Sequence, residues 1–214
     1  MYYSECINER INPLMIKNVT YEFSFTASSL RLNEMILVAK ASLNNEDFDY
    51  INILGKGKAV TGKRYYSEIK KRLSHLTPKQ LELFVDSDYT TQKQIAFLAV
   101  CKTYGFIRDF VVDVMREKYL VFDYTISEGD YISFYRRINE LHPEMDDFSE
   151  QTIKKLRQVT FKILEQSGLI DSVGNREIIP QIIETKVSEV ILGDHSEWLK
   201  IFLLSDMDIN ALIN

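Results

Sequence analysis

One segment of the chain comes close to a phosphate-binding motif. Residues 57–64 read GKAVTGKR and match the loop G-x-x-x-x-G-K of nucleotide-binding proteins up to its last position. That position needs a Ser or Thr hydroxyl to hold magnesium, and Arg64 occupies it here. Because no glycine-rich, parallel-sheet pattern surrounds the segment, the sequence argues against a nucleotide site, and we expect no cofactor.

Positive charge is concentrated in the same region, although the whole chain has a formal net charge of −5. Residues 56–72 hold seven basic side chains against one acid, Glu68. The seven are Lys56, Lys58, Lys63, Arg64, Lys70, Lys71 and Arg72. Basic residues interleaved with Tyr65, Tyr66 and Ser67 are typical of surfaces that contact phosphates and base edges.

A second basic surface is predicted on one face of a helix over residues 149–167. Its polar side carries five candidate contact residues and one acid, Glu165. The five are Lys154, Lys155, Arg157, Gln158 and Lys162. Arg176, in the hairpin predicted after the helix, completes the candidate nucleic-acid-binding set. For both surfaces the alternative interpretation is an ordinary solvated helix face.

The residue types that catalysis or metal binding would need are not clustered. His75, His142 and His195 are far apart in sequence, and none stands beside a cysteine, whereas metal sites need clustered ligands. The acidic pairs of the chain fall at predicted helix ends, where capping explains them. We therefore expect a protein that is not an enzyme and has neither a metal site nor a small-molecule substrate.

The composition favours long helices. Of 214 residues, 45% are hydrophobic and only eight are Gly and four Pro, which argues against the many turns of an all-β protein. Cys101 lies in the apolar run 95–101, which favours a buried free thiol over a bridge to Cys6. That run ends at Lys102, too short to span a bilayer, and the N-terminus shows no recognisable secretory signal. We expect a cytoplasmic protein with no membrane partner.

The first 120 residues are predicted to form a helical bundle that begins with a short strand. Residues 19–25 alternate apolar and polar side chains, which indicates a half-buried strand. Thr77 and Pro78 should start one helix, and Gly105 should end another as the C′ residue. The predicted helices run over about 28–43, 48–54, 61–75, 78–86, 90–104 and 106–119.

The next part is predicted to resemble a winged helix-turn-helix with minor β structure. Ser127 can cap a helix, and a second helix over residues 149–167 should end at Gly168. A short hairpin over residues 169–180 supplies the wing. Further helices, including one over about 195–204, then pack back on the core, which gives a mainly α fold class. The three predicted parts are residues 1–120, 121–185 and 186–214.

Core and cap residues recur in a recognisable order along nearly the whole chain. They are Phe23-Ser24-Phe25-Thr26, Glu34, Arg72-Leu73, Leu76, His142-Pro143-Glu144, Ser149, Thr152, Lys155-Leu156, ILEQSGLI at 163–170 and Ile179-Pro180. In this order the chain resembles the BrxA family, small helical proteins of BREX bacteriophage-defence systems. The resemblance implies a cytoplasmic, non-enzymatic accessory protein, with a helical fold likened to the antitermination factor NusB, that binds double-stranded DNA. It identifies no contact residue, so the candidate site depends on charge alone.

We therefore hypothesise a DNA-binding accessory protein that contacts duplex DNA through the two basic surfaces, mainly at phosphates. The alternative is a protein–protein adaptor whose basic surfaces meet acidic subunits among the other BREX proteins. RNA binding is a third hypothesis, on fold analogy only. A nuclease or methyltransferase is disfavoured because the sequence offers neither a metal cluster nor a cofactor loop. The DNA hypothesis requires the basic side chains to project into solvent.

Overall fold

The computed structural model describes residues 20–213 and is mainly helical over that range, so Cys6 and the start of the predicted strand lie outside it. The first helices are α1 (Leu32–Leu43), α2 (Tyr50–Ile53), α3 (Ala59–Ser74), α4 (Pro78–Asp86) and α5 (Tyr89–Thr103). A continuous helical stretch follows, made of α6 (Gly105–Phe110), a π-helical turn (Val111–Arg116) and α7 (Glu117–Leu120). The others are α8 (Glu128–Leu141), α9 (Glu150–Ser167), α10 (Thr185–Leu192) and α11 (Asp206–Ile213).

Local capping explains where several of these helices begin and end. Thr77 and Gln80 form a capping box at the start of α4. Ser127 caps α8 and Ser149 caps α9 through hydrogen bonds from the first helical turn. Gly168 ends α9 in the left-handed conformation, with φ of 80°. The predictions for these helices are confirmed.

Helix α5 is the central element of the core. Every side chain from Ile95 to Cys101 is fully buried, because α5 is packed against α1, α3, α4, α6, α9 and α10. Cys101 is a free, buried thiol, as predicted. Over residues 20–213, no helix has the length and apolar character needed to cross a membrane.

The strand predicted over residues 19–25 is wrong where the structure describes it. Ser24–Ala27 is a 3-10 turn, and the residues just before it have no regular structure. The alternating aromatic rings enter the core separately: Tyr21 stacks on His142 with 3.7 Å between ring centroids, and Phe25 is fully buried. In the described range no neighbouring strand offers the backbone partner that a ladder would need.

Gly105 has a role different from the predicted one. It begins α6 and does not have a positive φ, so it is not a left-handed C′ residue. A Cβ at this position would lie 2.5 Å from the ring of Tyr21. Glycine is therefore needed here because an aromatic ring packs directly on the backbone.

Short β pairing follows α9. The antiparallel pairing predicted after Gly168 is present as a bridge between Ile170 and Ile178, and a second bridge joins Thr125 to Glu177. The helix predicted over about 195–204 is a 3-10 turn, Ser196–Phe202. The winged-helix and NusB-like comparisons, and the division into three parts, stay predictions.

Candidate nucleic-acid interface

The two glycines of the near-match to a phosphate loop have structural roles. The segment follows α2 instead of a strand, and Gly62 lies inside α3 where α3 meets α2. A Cβ on Gly62 would lie 2.3 Å from the carbonyl oxygen of Tyr50. Gly62 therefore lets the two helices approach each other, whereas Gly57 has a φ of 83° and supplies a left-handed turn before α3.

The surface before and along α3 carries five of the predicted site residues, all exposed. They are Lys56, Lys58, Lys63, Arg64 and Lys70. None of them has a carboxylate of residues 20–213 within ion-pair distance, and the ion pairs of α3 are made by Lys71 and Arg72 instead. The five form an open positive surface, which we call the α3 surface.

Lys71 lies at the edge of the α3 surface and is partly neutralised. Its ammonium is 2.7 Å from the carboxylate of Glu22 and 3.3 Å from the hydroxyl oxygen of Ser24. Arg31 also lies beside α3, because its guanidinium stacks 3.9 Å from the centre of the Tyr65 ring, but its charge is offset by Glu34 at 3.0 Å. Sequence reasoning missed Arg31 because its place beside α3 depends on the tertiary fold.

Arg72 was predicted to contact nucleic acid, and this is wrong because its side chain is fully buried. The guanidinium donates hydrogen bonds of 2.7, 2.8 and 3.2 Å to backbone carbonyls of residues 28–30. Its Nε donates to the hydroxyl of Tyr104, which in turn donates to Glu68, and Glu68 lies 3.7 Å from the guanidinium as its counter-charge. Burial lowers the pKa of Arg72 to about 10, so the side chain stays charged at neutral pH.

Two arginines of the second predicted surface are also held in place by a carboxylate. Arg157 and Arg176 both donate to Glu128, the latter at 3.0 Å. The hydrogen bond from Arg176 is the main cause that holds the pKa of Glu128 below its usual range. The Arg176 guanidinium also lies 4.3 Å from the centre of the Phe161 ring. These two arginines join α8, α9 and the hairpin, and the single carboxylate that they share offsets one of their two positive charges.

The other four predicted residues form an exposed polar face of α9, which we call the α9 surface. They are Lys154, Lys155, Gln158 and Lys162. Lys155 donates to Gln158 at 3.4 Å, and Lys162 contacts the carboxylate of Glu165. Lys154 and Lys155 have no carboxylate partner within the described part of the chain.

A groove of about 330 Å³ runs along the α9 surface. Lys155, Gln158 and Lys162 line one side, and the other side is the segment 26–29, which contributes the hydroxyl-bearing residues Thr26, Ser28 and Ser29. Ammonium, amide and hydroxyl groups are the donors that hold phosphate oxygens in protein–DNA interfaces. Sequence reasoning missed the hydroxyl side because Ser28 and Ser29 were assigned to the start of a helix that begins only at Leu32.

Residues 24–30, which include this segment, connect the α3 and α9 surfaces. Near α3, the Ser24 hydroxyl contacts Lys71, and the carbonyls of residues 28–30 accept hydrogen bonds from Arg72. Near α9, the backbone N–H of Leu30 donates to the side chain of Gln166 at 2.9 Å, and the 3-10 turn packs on the helix. The two positive surfaces therefore lie on either side of one segment, which hydrogen bonds hold to both helices.

Possible metal ligands are dispersed over the described part of the chain. Within residues 20–213, no group of three or more His, Cys, Asp or Glu side chains is placed to hold a metal ion. His142 is buried between Tyr21 and Glu144, with its Nδ1 3.0 Å from the carboxylate. The positive surfaces are thus the chemically distinctive feature of this part of the chain.

Comparison with known proteins identifies similar sequences. A family model described as BrxA matches residues 19–194. The chain is 24% identical over 127 residues to "BREX protein BrxA" of Escherichia coli O9:H4 (strain HS), which covers 59% of this chain and 60% of that protein. It is 25% identical over 194 residues to "BREX protein BrxA" of Bacillus cereus (strain H3081.97), which covers 84% of this chain and 95% of that protein. The match to the Escherichia coli relative therefore spans less than two thirds of its length.

A solved structure shares the fold. The crystal structure of an uncharacterized protein from Magnetospirillum magneticum superposes with a TM-score of 0.74 at 19% sequence identity. The match covers 86% of this chain and 98% of that one. At this level of identity the likeness establishes the helical fold and nothing about function.

Proposed function

Because this chain belongs to the BrxA family, we propose that it is a non-catalytic accessory protein of a BREX phage-defence system that binds duplex DNA, mainly at phosphates. The exposed α3 and α9 surfaces carry this proposal. A chain with a net charge of −5 has no need of such concentrated positive surface for folding alone. The set proposed to contact DNA is Lys56, Lys58, Lys63, Arg64, Lys70, Lys154, Lys155, Gln158 and Lys162.

The groove beside α9 is the proposed binding site for the DNA backbone. Lys155 and Lys162 would face one phosphate group there, and the hydroxyl of Ser29 would donate to another of its oxygens, since those of Thr26 and Ser28 donate to backbone carbonyls. In this proposal α8, α9 and the short β pairing act as a winged-helix-like unit, within a NusB-like bundle, in the cytoplasm. Contacts of this kind give weak sequence preference and strong salt dependence.

Fluorescence anisotropy with a labelled DNA duplex at rising salt tests the proposal. We expect binding at about 50 mM salt and a linear fall of log K with log salt, with a slope of about −0.9 for each phosphate contacted. The variant Lys154→Glu/Lys155→Glu should weaken binding to all sequences alike and reduce the magnitude of the slope by about 2. Arg157 is left unchanged because its replacement would also break the contact with Glu128.

The matched control is Lys40→Glu/Lys79→Glu, which makes the same change in net charge. Both lysines are exposed, on α1 and α4, and neither forms an ion pair within residues 20–213. This variant should keep nearly the parental slope. A flat response to salt, no binding at about 50 mM salt, or equal losses in the two variants would refute the proposal.

The second candidate function is an adaptor that binds other BREX proteins. The contacts of Arg157 and Arg176 favour it in part, since they show that the second basic region can bind a carboxylate, that of Glu128. Co-purification of another BREX protein that survives nuclease treatment, with no duplex binding in the anisotropy assay, would select this function. Duplex and single-stranded RNA used as competitors in the same assay test the RNA hypothesis.

A further inference from the structure

Large apolar side chains are exposed around the C-terminal helices, away from the lysine-rich surfaces. Phe122 is 80% exposed, Ile182 85% and Met207 83%. They come from three separate places in the sequence: the turn after α7, the segment before α10, and α11. Solvent exposure of several such side chains in one region is typical of a binding surface.

A groove of about 520 Å³ lies between the elements that carry these side chains. Its walls come from the segment 181–188 on one side and from the region 202–212 on the other, and its apolar lining includes Ile183, Leu204 and Leu212. Ile182 and Met207 do not line the groove but are next in sequence to residues that do, Ile183 and Asp208. Phe122 adjoins the groove because its N–H donates to the carbonyl of Tyr119, which lines it. We call this feature the C-terminal groove.

Two residues at the C-terminal groove have an unusual backbone. Phe122 has φ of 64° and Leu203 has φ of 66°, the left-handed region that side chains of this size rarely adopt. Phe122 is at the rim and exposed, whereas Leu203 is buried in the wall. The fold thus holds an aromatic side chain in solvent at a conformational cost that core packing does not explain.

The charge around the C-terminal groove is negative. Residues 177–214 hold seven carboxylates against two lysines. Lys186 is bound to Asp88 at 2.9 Å, and Lys200 is bound to both Glu197 and Asp206. Further acids of this segment have no cation within ion-pair distance in the described chain: Glu177, Glu184, Glu189 and Asp208. A DNA duplex would be repelled here, whereas a cationic partner would be attracted.

We propose that the C-terminal groove docks an amphipathic helix of another BREX protein, with apolar anchors at i, i+4 and i+7 and Lys or Arg beside them. Two observations support this occupant: apolar side chains line and surround the groove, and the adjoining charge is complementary to a basic helix. An apolar groove is what an amphipathic helix binds, and complementary charge around the groove selects and orients a basic helix. The proposal depends on family membership for the choice of partner but not on DNA binding.

A peptide array provides the first test. Overlapping 20-residue peptides that tile the other BREX proteins of the source organism are probed with the full chain at physiological salt. We expect the bound peptides to share net positive charge and helical spacing of apolar residues. An array with no bound peptide, or with acidic peptides bound as well as basic ones, would overturn the proposal.

Variants of the rim provide the second test, by anisotropy with the best-binding labelled peptide. Ile182→Ser/Met207→Ser should raise Kd at least tenfold, and Glu184→Gln/Glu189→Gln should raise it several-fold in a salt-dependent way. The control is Val60→Ser, since Val60 is also 85% exposed but lies on α3. Circular dichroism confirms that each variant is folded.

The remaining outcomes separate this proposal from its alternatives. If Ile182→Ser/Met207→Ser leaves peptide affinity unchanged, or Val60→Ser lowers it equally, the groove is not the site. If sedimentation shows a dimer that the rim double variant disperses, the occupant is a second copy and the proposal fails. Duplex binding should be the same in the rim variant and the parent, so failure of DNA binding and failure of peptide docking are distinguishable.

Discussion

Replacement of Arg72 by Met should strongly destabilise the protein without removing any surface charge. Met keeps most of the side-chain volume but has no hydrogen-bond donor. Three carbonyls of residues 28–30 and the hydroxyl of Tyr104 would lose their donor. Glu68, which is only 6% exposed, would keep its negative charge with no counter-charge beside it.

The expected loss can be estimated from these contacts. Hydrogen bonds from a charged donor contribute about 1.5–3 kcal/mol each, but they are not additive when they share one guanidinium. Removal of one partner from a buried ion pair costs about 3–5 kcal/mol, because the other charge stays buried alone. We expect Arg72→Met to lower the free energy of unfolding by about 3–5 kcal/mol. The free energy of unfolding of Arg72→Lys should lie between those of the parent and Arg72→Met, because one ammonium cannot reach all the acceptors that the three guanidinium nitrogens now bind.

Urea unfolding followed by circular dichroism at 222 nm measures this change. Lys70→Met is the matched control, since Lys70 is exposed on the same helix and should change stability by less than about 0.5 kcal/mol. In the double variant Glu68→Gln/Arg72→Met the loss should be smaller than the sum of the single losses. A stability of Arg72→Met within 1 kcal/mol of the parent would refute the role assigned to this arginine.

Two further predictions concern packing and pH. Gly62→Ala should lower the free energy of unfolding by about 1–3 kcal/mol, and with it the midpoint of thermal unfolding, because the added Cβ would meet the carbonyl of Tyr50. An unchanged midpoint would contradict that contact. Glu128 has a lowered pKa, so its contribution to stability is present above its ordinary value of 4.5 and is lost as pH falls through the lower folded-state pKa. Glu128→Gln should therefore unfold with a weaker dependence on pH below about 4.5 than the parent, and parallel pH profiles would count against the contact with Arg176.

Helix positions were predictable from local signals. Whether each basic residue is exposed, ion-paired or buried was only partly predictable. Thr77, Ser127 and Ser149 act within one helical turn, and their caps need no tertiary information. Arg72 stands three residues after Ile69, on the buried stripe of α3, so the periodicity placed it inside while its charge suggested otherwise. For the burial of Arg72, helical spacing was a better predictor than the charge of the side chain.

Other differences depend on long-range packing. The contact of Arg157 with Glu128 joins residues on two helices, and no local pattern fixes which carboxylate an arginine meets. The aromatic residues near Tyr21 have the period of a strand, yet a strand needs a neighbour that lies elsewhere in the sequence. Sequence reasoning could identify the basic regions but not which members would be neutralised.

The hydrogen bonds from Arg72 to residues 28–30 have a consequence for genetic studies. That segment is also the wall opposite Lys155, so loosening it would disturb the groove although none of the side chains proposed to contact DNA had changed. If the proposed function holds, a screen for loss of phage resistance would recover interior substitutions at Arg72, Glu68 or Tyr104 among those at the proposed contact positions. Measurement of folded protein in each mutant strain would separate the two groups, since only the interior class should fall in abundance.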